Sequence, residues 1–199
     1  MIDQKTIDQI TQQRLNCLCT KHLHVPQRVK LNKLNRLVDF FAIGVPLLYL
    51  PVRFLAKDTA VGLASEVVWE ILAAMLLVLT FLKINQRWQE RAEEHSSLLG
   101  ENIAIAGQAD NLLRDIKHVS PEAASLFFLL AQRSEAADRK ALGEPTTAER
   151  QRAYREGLKE AQYNCPHCSA SPWKYVPGPC QACGNKKIIS DFTPISSLR

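Results

Sequence analysis

Residues 60–84 read AVGLASEVVWEILAAMLLVLTFLKI, and residues 37–56 before them read LVDFFAIGVPLLYLPVRFLA. Each run is about long enough to cross a hydrocarbon core of roughly 30 Å as a helix, which takes about 20 residues. Together they predict a two-helix hairpin with its turn at Lys57-Asp58-Thr59. Pro46 and Pro51 predict a bend or an early end in the first helix. Glu66 and Glu70 sit inside the second run, and Asp39 lies at the start of the first. Charge at membrane depth is costly and points to function. The charged residues Asp39, Arg53, Glu66, Glu70 and Lys83 lie toward the segment ends, however, where interfacial placement is cheap. The uncharged stretches 40–52 and 71–82 are also short enough for a buried hairpin in a soluble helical protein. Membrane placement is the expectation, and recovery without detergent favours the other reading.

Charge gives the hairpin a direction. The chain of 199 residues has a net charge of +5 and a mean hydropathy of −0.14, so its apolar residues are concentrated in these two runs. Lys21, Arg28, Lys30, Lys33 and Arg36 precede them, and Lys83, Arg87 and Arg91 follow. The connecting loop holds only Arg53 and Lys57. Positive flanks face the cytoplasm, so both termini are expected there. Residues 1–19 are polar and do not read as a cleavable signal. Residues 27–36 form a basic amphipathic stretch that suits either an anionic leaflet or water.

Helical signals dominate the remainder up to Asn164. Asp3 caps a first helix with Ile7, Ile10 and Leu18 on its apolar side, and His24-Val25-Pro26 is expected to interrupt it. The second apolar helix is expected to run on past Ile84 without a break. Between residues 85 and 119, Leu98, Ile105, Leu112 and Val119 recur every seven residues. His95, Asn102, Ala109 and Ile116 form a companion series, and Leu99, Ala106 and Leu113 widen the face. Such a stripe packs against this chain's own later helices or against another copy, with Asn102 able to set register. Ser120-Pro121 starts the next helix, whose expected core is Leu126, Phe127, Leu129 and Leu130 and whose end is Gly143. Thr146 and Glu149 form a capping box for a charged helix through Ala161, expected to be a surface or spacer element.

Cys165-Pro-His-Cys168 and Cys180-Gln-Ala-Cys183-Gly are separated by eleven residues. Each CxxC turn places two thiolates on one side of an ion, and two turns complete a tetrahedral four-thiolate site. This predicts one structural zinc in a C-terminal ribbon, with short strands at residues 173–176 and 186–189 and His167 outside the ligand set. Cys17, Cys19, His22 and His24 form a second cluster, but their spacing diverges on a helix and suits one ion poorly. Trp173, Lys174, Lys186 and Lys187 are able to meet nucleic acid, while structural stapling of a small tail is the favoured account of the ribbon.

At about 100° per residue, Glu66, Glu70, Ala73, Leu77 and Thr80 share one narrow face of the second apolar helix. In an oligomer that face would line a pore, since rings of Glu attract cations and an apolar ring gates by dewetting. Ordinary solvated glutamates at the outer interface are the plainer alternative. No nucleophile elbow, phosphate loop or HExxH helix is present, and an enzyme is not expected.

The hairpin, the long helix after it and the Cys165, Cys168, Cys180, Cys183 module resemble the SLATT-type membrane proteins of bacterial conflict systems, in the mobilome CxxCx(11)CxxC variant. The resemblance implies a homo-oligomeric, pore-forming anti-phage effector of the bacterial inner membrane. It also implies a nucleotide or oligonucleotide signal made by a partner nucleotidyltransferase. The expected fold is mainly α: cytoplasmic helices in residues 1–36, a transmembrane hairpin in 37–84, a cytoplasmic helical region in 85–163, and a zinc ribbon in 164–199. The alternative function is a membrane-anchored ribbon that grips nucleic acid or a protein, with the hairpin as anchor only.

Overall fold

The computed structural model describes residues 3–56 and 60–186. Helices α1 (Gln4–Ala56), α2 (Ala60–Asn85), α3 (Trp88–Arg114), α4 (Pro121–Leu142) and α5 (Thr147–Ala161) follow in order, and a cysteine-bearing segment closes the described chain. The mainly α class holds. The chain divides into two compact units, Met1–Pro26 with His95–Arg199, and Gln27–Glu94. The predicted turn at 57–59, together with Lys187, Ile188 and Ile189, lies outside the described residues.

Local signals set the helix ends well. Asp3 accepts from the Thr6 backbone N–H at 3.0 Å as α1 begins. Ser120 caps α4 through the Ala123 N–H, with Pro121 in the first turn, and Gly143 closes that helix at φ 61°. Thr146 and Glu149 make the reciprocal capping box of α5. Several expectations about continuity fail. His24-Val25-Pro26 does not interrupt α1, and neither Pro46 nor Pro51 ends it. A proline inside a helix costs about 3 kcal/mol. Near Pro26, buried tertiary bonds at His24 offset that cost. Conversely, the helix after Ile84 does break, at Gln86 and Arg87, where Arg87 takes φ 50°. No glycine or proline marks that break, so it carries no turn signal in sequence. The next helix also ends at Arg114, short of Val119.

In the unit Gln27–Glu94, α1 and α2 run antiparallel. Lys83 pairs with Asp39 at 2.5 Å, and the Tyr49 and Trp69 rings meet edge to face at 5.5 Å. Trp69 and Lys83 share a face with Leu72, Leu76 and Leu79, all half-buried at the three-four spacing of a packed helix. Apolar residues cover the other faces as well: Leu77 is 72 % exposed and Phe54 81 %, and Phe40, Ile43, Met75 and Phe81 are exposed too. Two helical stretches, Gln4–Pro51 and Glu66–Asn85, are long and apolar enough to cross a membrane, and none of the apolar window of the second is buried. A helix apolar all round needs lipid or a larger protein core around it.

In the other unit, α1, α3, α4 and α5 enclose one core. Ile10, Leu18, Ile105, Ala109, Phe127 and Leu158 are buried in it together with Cys165 and Cys183. The heptad stripe of α3 therefore packs inside the chain: Leu98, Ile105, Ala106 and Ala109 are all buried. On α4 the inward face is Ala124, Phe127, Ala131, Ser134 and Asp138, whereas Leu126, Leu129 and Leu130 are exposed. The expected core of α4 is thus corrected to Phe127 plus small and polar residues, because the inward face follows the three-four spacing and not side-chain size. Helix α5 is no spacer either. Ala153, Gly157, Leu158 and Ala161 are buried, and a Cβ at Gly157 would lie 2.5 Å from Cys19 Sγ. Glycine there lets the α1 backbone approach closely. Lys21 and His22 on α1 both reach Glu160 on α5.

A buried polar chain ties three of these helices. His24 Nδ1 lies 2.8 Å from His95 Nδ1, and His24 Nε2 donates to Asp138 at 2.8 Å. Asn102 Nδ2 donates to both Asp138 oxygens at 3.1 Å and to the Leu98 carbonyl at 3.0 Å. All four side chains are buried. Removing one member strands the others without water, which costs more than the bonds themselves contribute.

Asp138→Ala should therefore lower the unfolding free energy by about 3 kcal/mol or more in chemical denaturation. Phe127→Ala should cost about 3–5 kcal/mol, whereas Leu129→Ala should stay within about 0.5 kcal/mol.

Candidate metal centre and acidic groove

The cysteine segment begins as α5 ends, with Gln162 in a left-handed cap at φ 59°. Two turns of the same form follow. In the first, Ser169 N–H donates to the Cys165 carbonyl at 2.7 Å; in the second, Gly184 N–H donates to the Cys180 carbonyl at 2.7 Å. Both closing residues have positive φ, 59° at Ser169 and 71° at Gly184. Glycine meets that demand without a Cβ penalty. At Gly184 a Cβ would also meet Gln151 Oε1 at 2.6 Å. Gln151 Nε2 lies within reach of the Cys180 and Gln181 carbonyls, and Arg155 donates to the Cys183 carbonyl at 2.5 Å. The second turn is therefore held from α5.

Cys165, Cys168, Cys180 and Cys183 place their four Sγ atoms within 4.8 Å of one another. The Cys168–Cys183 separation is 3.5 Å and the Cys165–Cys180 separation 4.0 Å. A tetrahedral zinc with bonds of about 2.3 Å sets its sulfurs about 3.8 Å apart. The donor set and its edges fit a closed four-thiolate zinc site. Among the described residues, no other group of three or more potential ligands converges in this way. His167 is exposed and stands outside the ligand set.

The thiols do not titrate alike. Burial pushes Cys165 up, although backbone N–H groups of Cys168 and His167 oppose it. Burial also raises Cys183. At Cys180 burial acts in the same direction, but N–H groups of Cys183 and Ala182 and the neighbouring thiols outweigh it and bring the value down to about 7. Cys180 thus ionises ahead of Cys165 and Cys183, whose protons leave on meeting a cation. Cys17 and Cys19 are different: burial raises both to about 12, they remain neutral thiols, and Cys19 packs against Gly157. The cluster of Cys17, Cys19, His22 and His24 disperses into separate roles in packing and ion pairing.

Chain 171–176 rises between the two turns, and one side chain organises it. Asn185 is buried; its Nδ2 lies 3.3 Å from both the Ser171 and Lys174 carbonyls, and its Oδ1 accepts from the Val176 N–H at 3.1 Å. The expected strands are absent among the described residues, where only an isolated bridge pairs Pro177 with Asn185. Backbone bonds join Lys186 to Val176 and Gly178 to Gly184, and Asn185 satisfies further backbone groups at Ser171, Lys174 and Val176. Trp173, Lys174 and Lys186 are exposed, and Lys187 lies outside the described residues. Sequence reading missed Asn185, Gln151 and Arg155, since an Asn after Cys-Gly and two polar residues on a charged helix give no local sign of long-range bonds.

In the other unit, a groove of about 630 Å³ opens between α1 and α2, lined by Val45, Pro46, Tyr49, Glu66, Trp69, Glu70, Ala73 and Leu76. Glu66, Glu70 and Ala73 stand along it together. Leu77 and Thr80 belong to the same helical stripe further along α2, Leu77 exposed and Thr80 half-buried. Asp39 is accounted for by its pairing with Lys83.

A family model described as mobilome CxxCx(11)CxxC protein matches residues 8–186, which carry both helical units and all four cysteines. The chain belongs to this family. The family's spacing is that of Cys165, Cys168, Cys180 and Cys183, so the mobilome part of the sequence resemblance is borne out. No curated protein and no solved structure matches the chain.

Cys180→Ser should abolish stoichiometric zinc, measured by metal analysis of the purified protein; full metal content would contradict the four-cysteine site. Asn185→Ala should keep the metal but weaken the module by about 1–3 kcal/mol, the cost of leaving buried backbone groups unpaired, read as a lower midpoint for zinc release in denaturant.

Proposed function

We propose that the protein is a homo-oligomeric, pore-forming effector of the bacterial inner membrane, acting in anti-phage defence with both termini in the cytoplasm. The observation that supports it best is the hairpin. Its helices are apolar on nearly every face and still present Glu66, Glu70 and Ala73 on one groove. Helical rise places Glu70 about 20 Å and Glu66 about 26 Å from Lys83. With Lys83 at the inner boundary, both lie within a hydrocarbon core of roughly 30 Å. A carboxylate there is tolerated only beside water or a partner group. Several copies that turn this stripe toward a common axis give it water and give the assembly a ring of acids, which favours cations. Leu77, exposed and apolar on the same stripe, would form the apolar constriction.

In this reading the unit with the zinc centre senses a nucleotide or oligonucleotide supplied by a partner nucleotidyltransferase and passes its occupancy to the hairpin. The SLATT-type resemblance implies that arrangement, and membership of a mobilome family is compatible with a membrane effector. No group with a catalytic role is assigned.

Purified protein in liposomes should leak monovalent cations when the signal is present. Glu66→Gln with Glu70→Gln should change cation-over-anion selectivity by roughly tenfold, and unchanged flux and selectivity would remove the acids from the pathway. Exchange of residues 37–84 for an unrelated hairpin should abolish leakage and toxicity in cells. Retained toxicity would support an anchor in place of a pore.

A further inference from the structure

The loop held by Asn185 has no role in the zinc site itself. Three of its backbone polar groups, the Ser171 and Lys174 carbonyls and the Val176 N–H, turn inward to one buried amide, and the side chains from Trp173 to Val176 are exposed. Trp173 is 67 % exposed and Tyr175 52 % exposed. The Arg155 guanidinium carbon stands 3.9 Å over the centre of the Tyr175 ring while its Nη1 is tethered to the Cys183 carbonyl. A stacked arginine and tyrosine, a free tryptophan two residues away and lysines at 174 and 186 are thus displayed by a pinned loop. Lys186 joins the same edge, since its N–H donates to the Val176 carbonyl at 2.8 Å. Segment 164–187 contains no acidic side chain. Four thiolates around a divalent ion leave two negative charges, so Lys174, Lys186 and Arg155 make the surface only mildly positive.

We infer that this loop is a stacking platform for single-stranded nucleic acid or a linked oligonucleotide, in which Trp173 and the Tyr175–Arg155 pair take adjacent bases and Lys174 and Lys186 take the phosphates. The inference rests on the sensing role given above to this unit, and it names the face and the ligand class. Exposed aromatic faces gain little from water, whereas every base offers a π surface to them. A mild charge means that stacking carries most of the affinity and phosphates a small share, so binding weakens only modestly with salt. Duplex is a poor fit because its bases are already stacked on each other.

The test is fluorescence anisotropy with the full-length, zinc-loaded protein in detergent, using a labelled single-stranded RNA of about eight nucleotides, the same sequence as duplex, and ATP as competitor. Single strand should bind best, and ATP should displace it only at far higher concentration. Trp173→Ala and Tyr175→Ala should each weaken binding roughly tenfold or more, within the range measured for base stacking. Trp173→Phe should restore most of the affinity, with zinc content unchanged in all three. Lys174→Ala with Lys186→Ala should flatten the salt dependence. Equal affinity for duplex, equal affinity for ATP, or full affinity in the zinc-loaded Trp173→Ala variant would overturn the platform. Ion flux is not part of this readout: binding without flux sinks the pore reading alone, and flux without binding sinks the platform alone.

Discussion

Four sulfurs held within 4.8 Å of one another are tenable as thiolates only around a cation, and the unit that contains them closes on that constraint. Cys165 and Cys183 are walls of the same core that buries Leu158, Phe127 and Ile10. The metal centre therefore does more than staple a tail. It fixes the last segment against α5 through Gln151 and Arg155, and α5 in turn lies against α1 where Gly157 meets Cys19. Zinc ligation at the C-terminal end and close helix contact near the N-terminal end thus belong to one packed body.

Two kinds of polar burial have different meanings here. The His24, His95, Asn102 and Asp138 chain is bonded through its own members and lies in a core, so it specifies how α1, α3 and α4 fit together. Among the described residues Glu66 and Glu70 have no such partners; they stand on an open groove beside apolar side chains. Networks that satisfy themselves organise structure, and acids left facing an open apolar groove invite an external ion, water or a second copy. This contrast is why the pore proposal rests on the glutamates and not on the buried histidines.

Legibility in sequence followed the range of the interaction. Caps at Asp3, Ser120, Thr146 and Gly143 were readable because each involves atoms within a few residues. The zinc ligands were readable because two CxxC turns leave little freedom in where their thiolates go. Helix α4 was misread because Leu126, Leu129 and Leu130 dominate by size, while burial followed the three-four face of Ala124, Phe127 and Ala131. The break at Arg87 and the continuity through Pro26 both went against local propensity. At Pro26, bonds from His24 to residues 71 and 114 positions away outweigh the local penalty.

What the sequence alone determined is therefore what depends on near neighbours: the helical class, the two apolar segments, the metal ligands and most helix ends. Tertiary structure alone decided which faces are inside. It placed Gly157 against Cys19, turned the α3 stripe into an internal contact, made α5 a core element, and gave Asn185 the backbone of the aromatic loop. Each of those outcomes joins residues far apart in the chain. Their free energy comes from burial and from satisfying polar groups away from water, and neither exists until the distant partner has arrived.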